Sequence, residues 1–357
     1  MTWVALMGLV FGCGMGASKD PPSGAAPSPQ VELVFLGDVL VGGEMGKHTQ
    51  GVTAPWAFQH LQPLWDSAAG VWANLEGPLM TEAHPEKGSK SAYYSMSDLV
   101  ARGLSEVGVR GVLHANNHTL DRGVEGLLET RTHLAGQGVV TLGTGSQQAE
   151  AWTPHRVETP YGEVAVFGMT EAIRPHAAPE DRAGVARFDR EAMAEAVAGA
   201  RQDGVDHVVA FIHWGSDFMA VDKEMRWAAG IMSLSGVDLV VGVGPQILLP
   251  VEAVRGTPVV WSIGNSASGA PYGFTDSRPG YGVVLSAVLG ENGFEELRAH
   301  CIVTDLEREG APPRPCSAPV SQQVLSDQRW AVDAQGVGHM TWPAPWVDPS
   351  KRDDANP

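Results

Sequence analysis

The sequence is short of positive charge. Against 41 Asp and Glu it sets 24 Lys and Arg, a formal net charge of −17 over 357 residues. Such a surface repels nucleic acid and excludes binding through a broad basic face, so a polyanionic partner would need a local positive device such as a bound metal. Cysteine is equally scarce: there are three, none in a CxxC pair, and no zinc ribbon or finger is implied. The N-terminal apolar run in "MTWVALMGLVFGCGMG" is about a dozen residues long, too short to span a bilayer but the size of a signal-peptide core. Internal repeats are absent. "GTGSQ" (Gly143–Gln147) lacks the Lys and spacing of a P-loop, and "NSAS" after Gly264 lacks the Gly-x-Ser-x-Gly elbow of a serine nucleophile.

What is present starts at that N-terminus. Val10, Phe11, Gly12 and Cys13 resemble the bacterial lipobox, in which the Cys becomes the lipidated first residue, and "SKDPPSGAAPSPQ" follows as a Pro/Ser-rich tether. The expected organisation is a lipoprotein-type signal over 1–13, a tether over 14–30, one domain over 31–305 and an irregular extension over 306–357. This places the protein in the bacterial cell envelope, on the periplasmic side or at the outer membrane, touching the membrane only through its lipid. The remaining Cys301 and Cys316 are an even pair for an oxidising compartment, bridged or left as two thiols.

From Val31 onward short apolar runs alternate with amphipathic segments: "VELVFLGD", "GVWANLE", "VRGVLHANNH", "DHVVAFIHWG" and "VDLVVGVG" read as strands, with helices between them. A closing run of strands without helices suggests a second sheet packed on the first. Polar residues then fall in a pattern. Asp38, Glu76, Asn117 with His118, and His213 each follow an apolar strand at its carboxyl end, the edge where α/β sheets bind ligands. Carboxylates and imidazoles converging on one edge waste desolvation energy unless something positive sits among them, and a divalent metal is the economical answer.

The series "FLGDVLVGG", "WANLEGPL", "HANNHTLDRG", "FIHWGSDF", "DLVVGVGPQILLPVE" and "VVWSIGNSAS" resembles the bacterial capsule-synthesis CapA family, linked to poly-γ-glutamate capsules and built on the calcineurin-like metallophosphoesterase fold. The resemblance implies a four-layer αββα sandwich, two mixed β-sheets flanked by helices. It implies Asp38, Glu76, Asn117 and His213 as metal ligands, His118 as the acid beside the leaving oxygen, and Asp121 orienting His118. Gln246, Asn116 and Asn265 are weaker ligands or substrate contacts. The chain departs from the family at "GVGPQ", where Gly244 and Gln246 stand in place of two histidines, so one ion of Mn, Fe or Zn is expected rather than two. Two kinds of function stay open: a metal-dependent hydrolase acting on a phosphoester or an acidic cell-surface polymer, and a non-catalytic module that binds such a polymer beside the membrane subunits of capsule synthesis.

Overall fold

The computed structural model describes residues 1, 30–41, 53–81, 94–171, 184–268, 280–304 and 310–341. Cys13, the tether up to residue 29 and the tail beyond 341 lie outside them. The chain begins one sheet, builds a second completely, and returns to finish the first. It opens with β1 (Val31–Leu40), β2 (Gly70–Leu75), β3 (Gly111–Leu113) and β4 (Val140–Leu142), parallel neighbours in that order. It continues with β5 (His155–Thr159), β6 (Gly162–Thr170), β7 (His207–His213), β8 (Leu239–Val243), β9 (Leu248–Val254) and β10 (Thr257–Ile263), a six-stranded sheet in the order β9-β10-β8-β7-β6-β5. It closes with β11 (Asn265–Ser268), β12 (Tyr281–Gly290), β13 (Gly293–Val303), β14 (Arg314–Pro315), β15 (Ala331–Val332) and β16 (Val337–Thr341), which complete a ten-stranded sheet. There β12 pairs the first half of β1 and β11 the second.

The central strands β1, β2, β7, β8 and β10 are buried along most or all of their length, which is why they read as continuous hydrophobic runs. Successive residues enter different cores. Leu33 and Phe35 of β1, with Val164, Val166, Val209 and Phe211 of the other sheet, fill the space between the sheets. Val34 and Leu36 face outward onto helices α1 (Ala54–Phe58) and α2 (Leu99–Glu106), with Leu134 of α3 (Gly123–Gly136) in the same core. On the far side Ala165, Phe167, Val208 and Ala210 pack against Met193 and Val197 of α5 (Arg190–Gln202) and Met225 and Met232 of α6 (Lys223–Leu234). Helix α4 (Gln148–Ala151) joins the first sheet's strands to the second. The result is the four-layer αββα sandwich expected.

The segment after 305 is a correction. Instead of an irregular extension, residues 314–341 contain β14, helix α7 (Ala318–Asp327), β15 and β16, and β16 pairs with β13 from Glu296–Thr341 to His300–Val337. Strands of two to five residues carry too little periodicity to be read, and backbone hydrogen bonds to a neighbouring strand do not depend on side-chain pattern. Leu325 and Trp330 enter the inter-sheet core, and Val251 N–H donates to the Gln328 carbonyl, tying the segment to the second sheet as well. Cys301 and Cys316 are bonded, with Cα atoms 5.4 Å apart. In the chain-entropy model, closing a loop of this size stabilises by about 3 kcal/mol. Among the described residues no helix is long and apolar enough to cross a membrane.

Candidate functional site

The carboxyl ends of β1, β2, β3, β7 and β8 deliver their polar residues to one edge of the sandwich. Asp38 lies in the second half of β1, opposite Asn74 of β2 and Asn265 of β11, so three polar side chains stand in a row across three strands. The ladder is irregular just before Asp38. Gly37 permits this, because a Cβ there would stand 1.8 Å from the Gly264 carbonyl oxygen. Its N–H donates to Ser266 Oγ at 2.7 Å, pinning the crossing. Asn74 Nδ2 donates to Asp38 Oδ1 at 2.7 Å, and Asn116 Nδ2 donates to Asn74 Oδ1 at 3.1 Å, an amide relay ending on the carboxylate. Burial pushes the Asp38 pKa up to about 7; the Asn74 hydrogen bond works against this, the charge of Asp217 adds to it, and Glu76 and Gln246 offset part of the rise.

Glu76 follows β2 and is buried, its N–H bonded to the Val39 carbonyl. Across the sheets, Gln246 Nε2 donates to Glu76 Oε1 at 3.1 Å, which brings the "GVGPQ" segment of the second sheet onto the carboxylates of the first. Gln246 does so from a left-handed backbone, φ 63°. A non-glycine residue held there stores strain of the kind found at functional sites.

The loop after β3 turns adjacent residues in different directions. Asn116 is buried, its Nδ2 also donating to the Leu75 carbonyl and its Oδ1 accepting from the His118 N–H. Asn117, predicted as the ligand, is exposed. His118 is buried and held twice: Nδ1 lies 2.7 Å from Asp121 Oδ2, and the ring stacks on Tyr94 with centroids 3.9 Å apart. Asp121 Oδ2 also accepts the Tyr94 N–H at 2.7 Å, so one carboxylate oxygen positions both stacked rings. His213, at the end of β7, is buried beside Gly244.

Sequence reasoning missed three members. Asp217 is exposed, yet desolvation of its carboxyl raises its pKa and the nearby His118 lowers it, and its charge acts on Asp38. It stood inside the quoted "FIHWGSDF", four residues past His213. Asn74 was findable too, since alternation along β2 puts it on the same face as Glu76. Tyr94 had no signal, because its contact with His118 is made by loops distant in sequence.

Gly244 has no room for the histidine that the family resemblance led us to expect there. Its φ is +115°, and a Cβ would lie 2.4 Å from the Trp214 carbonyl oxygen. A side chain there must displace backbone. Gly244→His is therefore expected to cost at least about 2 kcal/mol in denaturant unfolding. Gln246→His, at a position that already carries a buried side chain, should cost only about 1 kcal/mol for the lost hydrogen bond to Glu76. Equal losses would refute the steric reading of Gly244.

Among the described residues no three His, Cys, Asp or Glu side chains come together to hold a metal. Asp38 Oδ2, Gln246 Oε1 and both side-chain polar atoms of Asn265 are buried without a hydrogen-bond partner among the described residues, and buried oxygens in that state call for a cation or water.

Residues 32–270 match the family described as bacterial capsule synthesis protein PGA_cap. The chain is 27% identical over 254 residues to the PGA biosynthesis protein CapA of Bacillus subtilis (strain 168), covering 68% of this chain and 67% of the relative. To the capsule biosynthesis protein CapA of Bacillus anthracis it is 22% identical over 243 residues, 66% of this chain and 59% of that one, so it spans roughly three fifths to two thirds of these relatives. A solved calcineurin-like phosphoesterase, YfkN of Bacillus subtilis, aligns over 81% of this chain and 90% of its own at 11% identity with a TM-score of 0.43, too loose to carry a shared activity. With the family match covering well over half of its length, the chain belongs to the bacterial capsule synthesis protein PGA_cap family.

Proposed function

We propose that this protein is an envelope-tethered accessory factor in the synthesis or export of an acidic, capsule-like polymer such as poly-γ-glutamate, anchored through lipidated Cys13 and working beside the membrane subunits that make the polymer. The observation that carries this reading is the pocket itself: in a member of the capsule-synthesis family, His118, Asp121 and Tyr94 form an ordered unit at the sheet edge that carries the buried carboxylates Asp38 and Glu76, with Asp217 acting electrostatically on both His118 and Asp38. With Nδ1 engaged by Asp121, proton exchange with a bound group falls to Nε2 of His118. A divalent ion held by Asp38, Glu76 and their amide neighbours would supply the positive charge that a −17 chain otherwise lacks for a polyanion or phosphoester. Asp217 narrows the site to ligands that bring such a cation or carry donors of their own, since a bare anion meets three carboxyl groups.

The second reading, a module that only binds polymer, is favoured by the absence of a three-membered His, Cys, Asp and Glu cluster among the described residues. One experiment separates the two. The gene is deleted in its own bacterium and cell-bound acidic polymer is measured after complementation. Wild type restores the polymer; His118→Ala, folded by circular dichroism, restores less than about a tenth of it if the residue is an acid. Full restoration by His118→Ala leaves the binding module, and polymer unchanged by the deletion ends both readings.

A further inference from the structure

We infer that Asn265 and Gln246 join Asp38 and Glu76 in an oxygen-only site for one hard divalent cation of the Mg²⁺, Ca²⁺ or Mn²⁺ class. The inference deepens the reading of this pocket and rests on it for what the ion serves, not for whether the ion binds.

The strand register sets the site. Asp38 pairs with Asn265 on one side and Asn74 on the other, and registered neighbours present their side chains to the same face of a sheet. Asn74 satisfies one Asp38 oxygen, and the other, Oδ2, has no hydrogen-bond partner among the described residues. Asn265 is 1% exposed, and neither its Oδ1 nor its Nδ2 has a hydrogen-bond partner among the described residues. Gln246, 2% exposed, spends its NH2 on Glu76 and keeps Oε1 unmatched. A buried polar atom left unmatched costs about 1–3 kcal/mol, so four in one place mark a missing partner.

Three of the four atoms are acceptors: Asp38 Oδ2, Gln246 Oε1 and Asn265 Oδ1. Water could meet them singly. The surplus of acceptors next to two carboxylates, with Asp217 adding charge of the same sign, asks instead for a cation. All four residues are 2% exposed or less, a burial that suits a small ion and not a large ligand. The donors are carboxylate and amide oxygens, which suit hard ions.

The test uses the full-length protein stripped with EDTA and Mn²⁺ as probe. Titration calorimetry should find one Mn²⁺ per chain, and electron spin-echo spectra of the bound ion should lack the ¹⁴N modulation of a coordinated imidazole. Asn265→Leu should weaken Mn²⁺ at least about tenfold, Asn265→Asp should restore or tighten binding, and His213→Ala should leave it unchanged. Asn265→Asp keeps the test decisive if Asn265→Leu fails to fold. Absence of binding by Mn²⁺, Mg²⁺ and Ca²⁺ overturns the inference, as does ¹⁴N modulation that disappears in His213→Ala. The polymer reading stands or falls on the gene deletion, whichever way the titration comes out.

Discussion

Trp72→Ala is expected to lower the unfolding free energy by about 4 kcal/mol, near the upper end for an aromatic deleted from a core. Trp72 is fully buried between the sheets, stacked on Phe35 with ring centroids 5.3 Å apart. Its slot is made by two glycines: a Cβ at Gly70 would stand 2.4 Å from the indole, and one at Gly111 would stand 2.7 Å from it. Neither neighbour has a side chain to lean into the hole, and both belong to strands fixed by their ladders, so the cavity persists. The substitution also leaves His155 Nδ1 without the indole N–H that donates to it at 3.1 Å. Trp72→Phe separates the two effects by keeping most of the volume and losing only the hydrogen bond, for a cost nearer 1–2 kcal/mol. A loss below 2 kcal/mol in the alanine variant, measured by urea unfolding, would mean that the inter-sheet space collapses.

Acid should unfold the protein through His114, and removing that imidazole should blunt the effect. His114 follows β3, is wholly buried, and neither ring nitrogen has a hydrogen-bond partner among the described residues. Burial, with the charge of Arg131 behind it, pushes its pKa down to about 3. A histidine depressed in the folded state binds its proton more readily when unfolded. Its neutral form therefore costs nothing above the ordinary pKa near 6.5, and stability drains away as the pH falls from there toward 3. The loss from this group is roughly 2 kcal/mol at pH 5 and roughly 3 kcal/mol at pH 4. Asp38 acts in the opposite sense: its raised pKa means that the folded state keeps a proton that the unfolded chain releases between pH 3.8 and about 7, so that contribution is lost as the pH rises. His114→Leu isolates the first effect. It should match the parent at pH 7 and exceed it increasingly below pH 6, and parallel curves down to pH 4 would show that His114 finds a partner once charged.

How much of this was legible in the chain depends on what kind of interaction made it. Apolar runs ending in a polar residue were enough to place Glu76 and His213 at strand ends, because burial on both faces leaves an unmistakable composition, whereas Asp38 stands inside β1, whose ladder runs on to Leu40. The loop "NNHTLDRG" was located but not oriented: Asn116 and Asn117 are chemically identical, and only the turn decides that the first faces inward and the second outward. Asp217 depends on a path with left-handed residues at Gly215 and Phe218, fastened by the Phe218 N–H to the Pro245 carbonyl. Short strands such as β14 and β15 carry almost no information of their own; they exist because β13 and β16 offer them a ladder.

Gly264 gives the pocket an unusual mechanical standing. This one residue, φ +65°, separates the last strand of the second sheet from β11 of the first, and its carbonyl accepts the Asp38 N–H. Asn265 is thereby tethered covalently to one sheet and hydrogen-bonded into the other. Any shear between the two sheets must pass through this point, so it would change the spacing of the polar row before it reached the surface. The site is a strain gauge for the whole sandwich, and a ligand that fixes that row would stiffen both sheets at once.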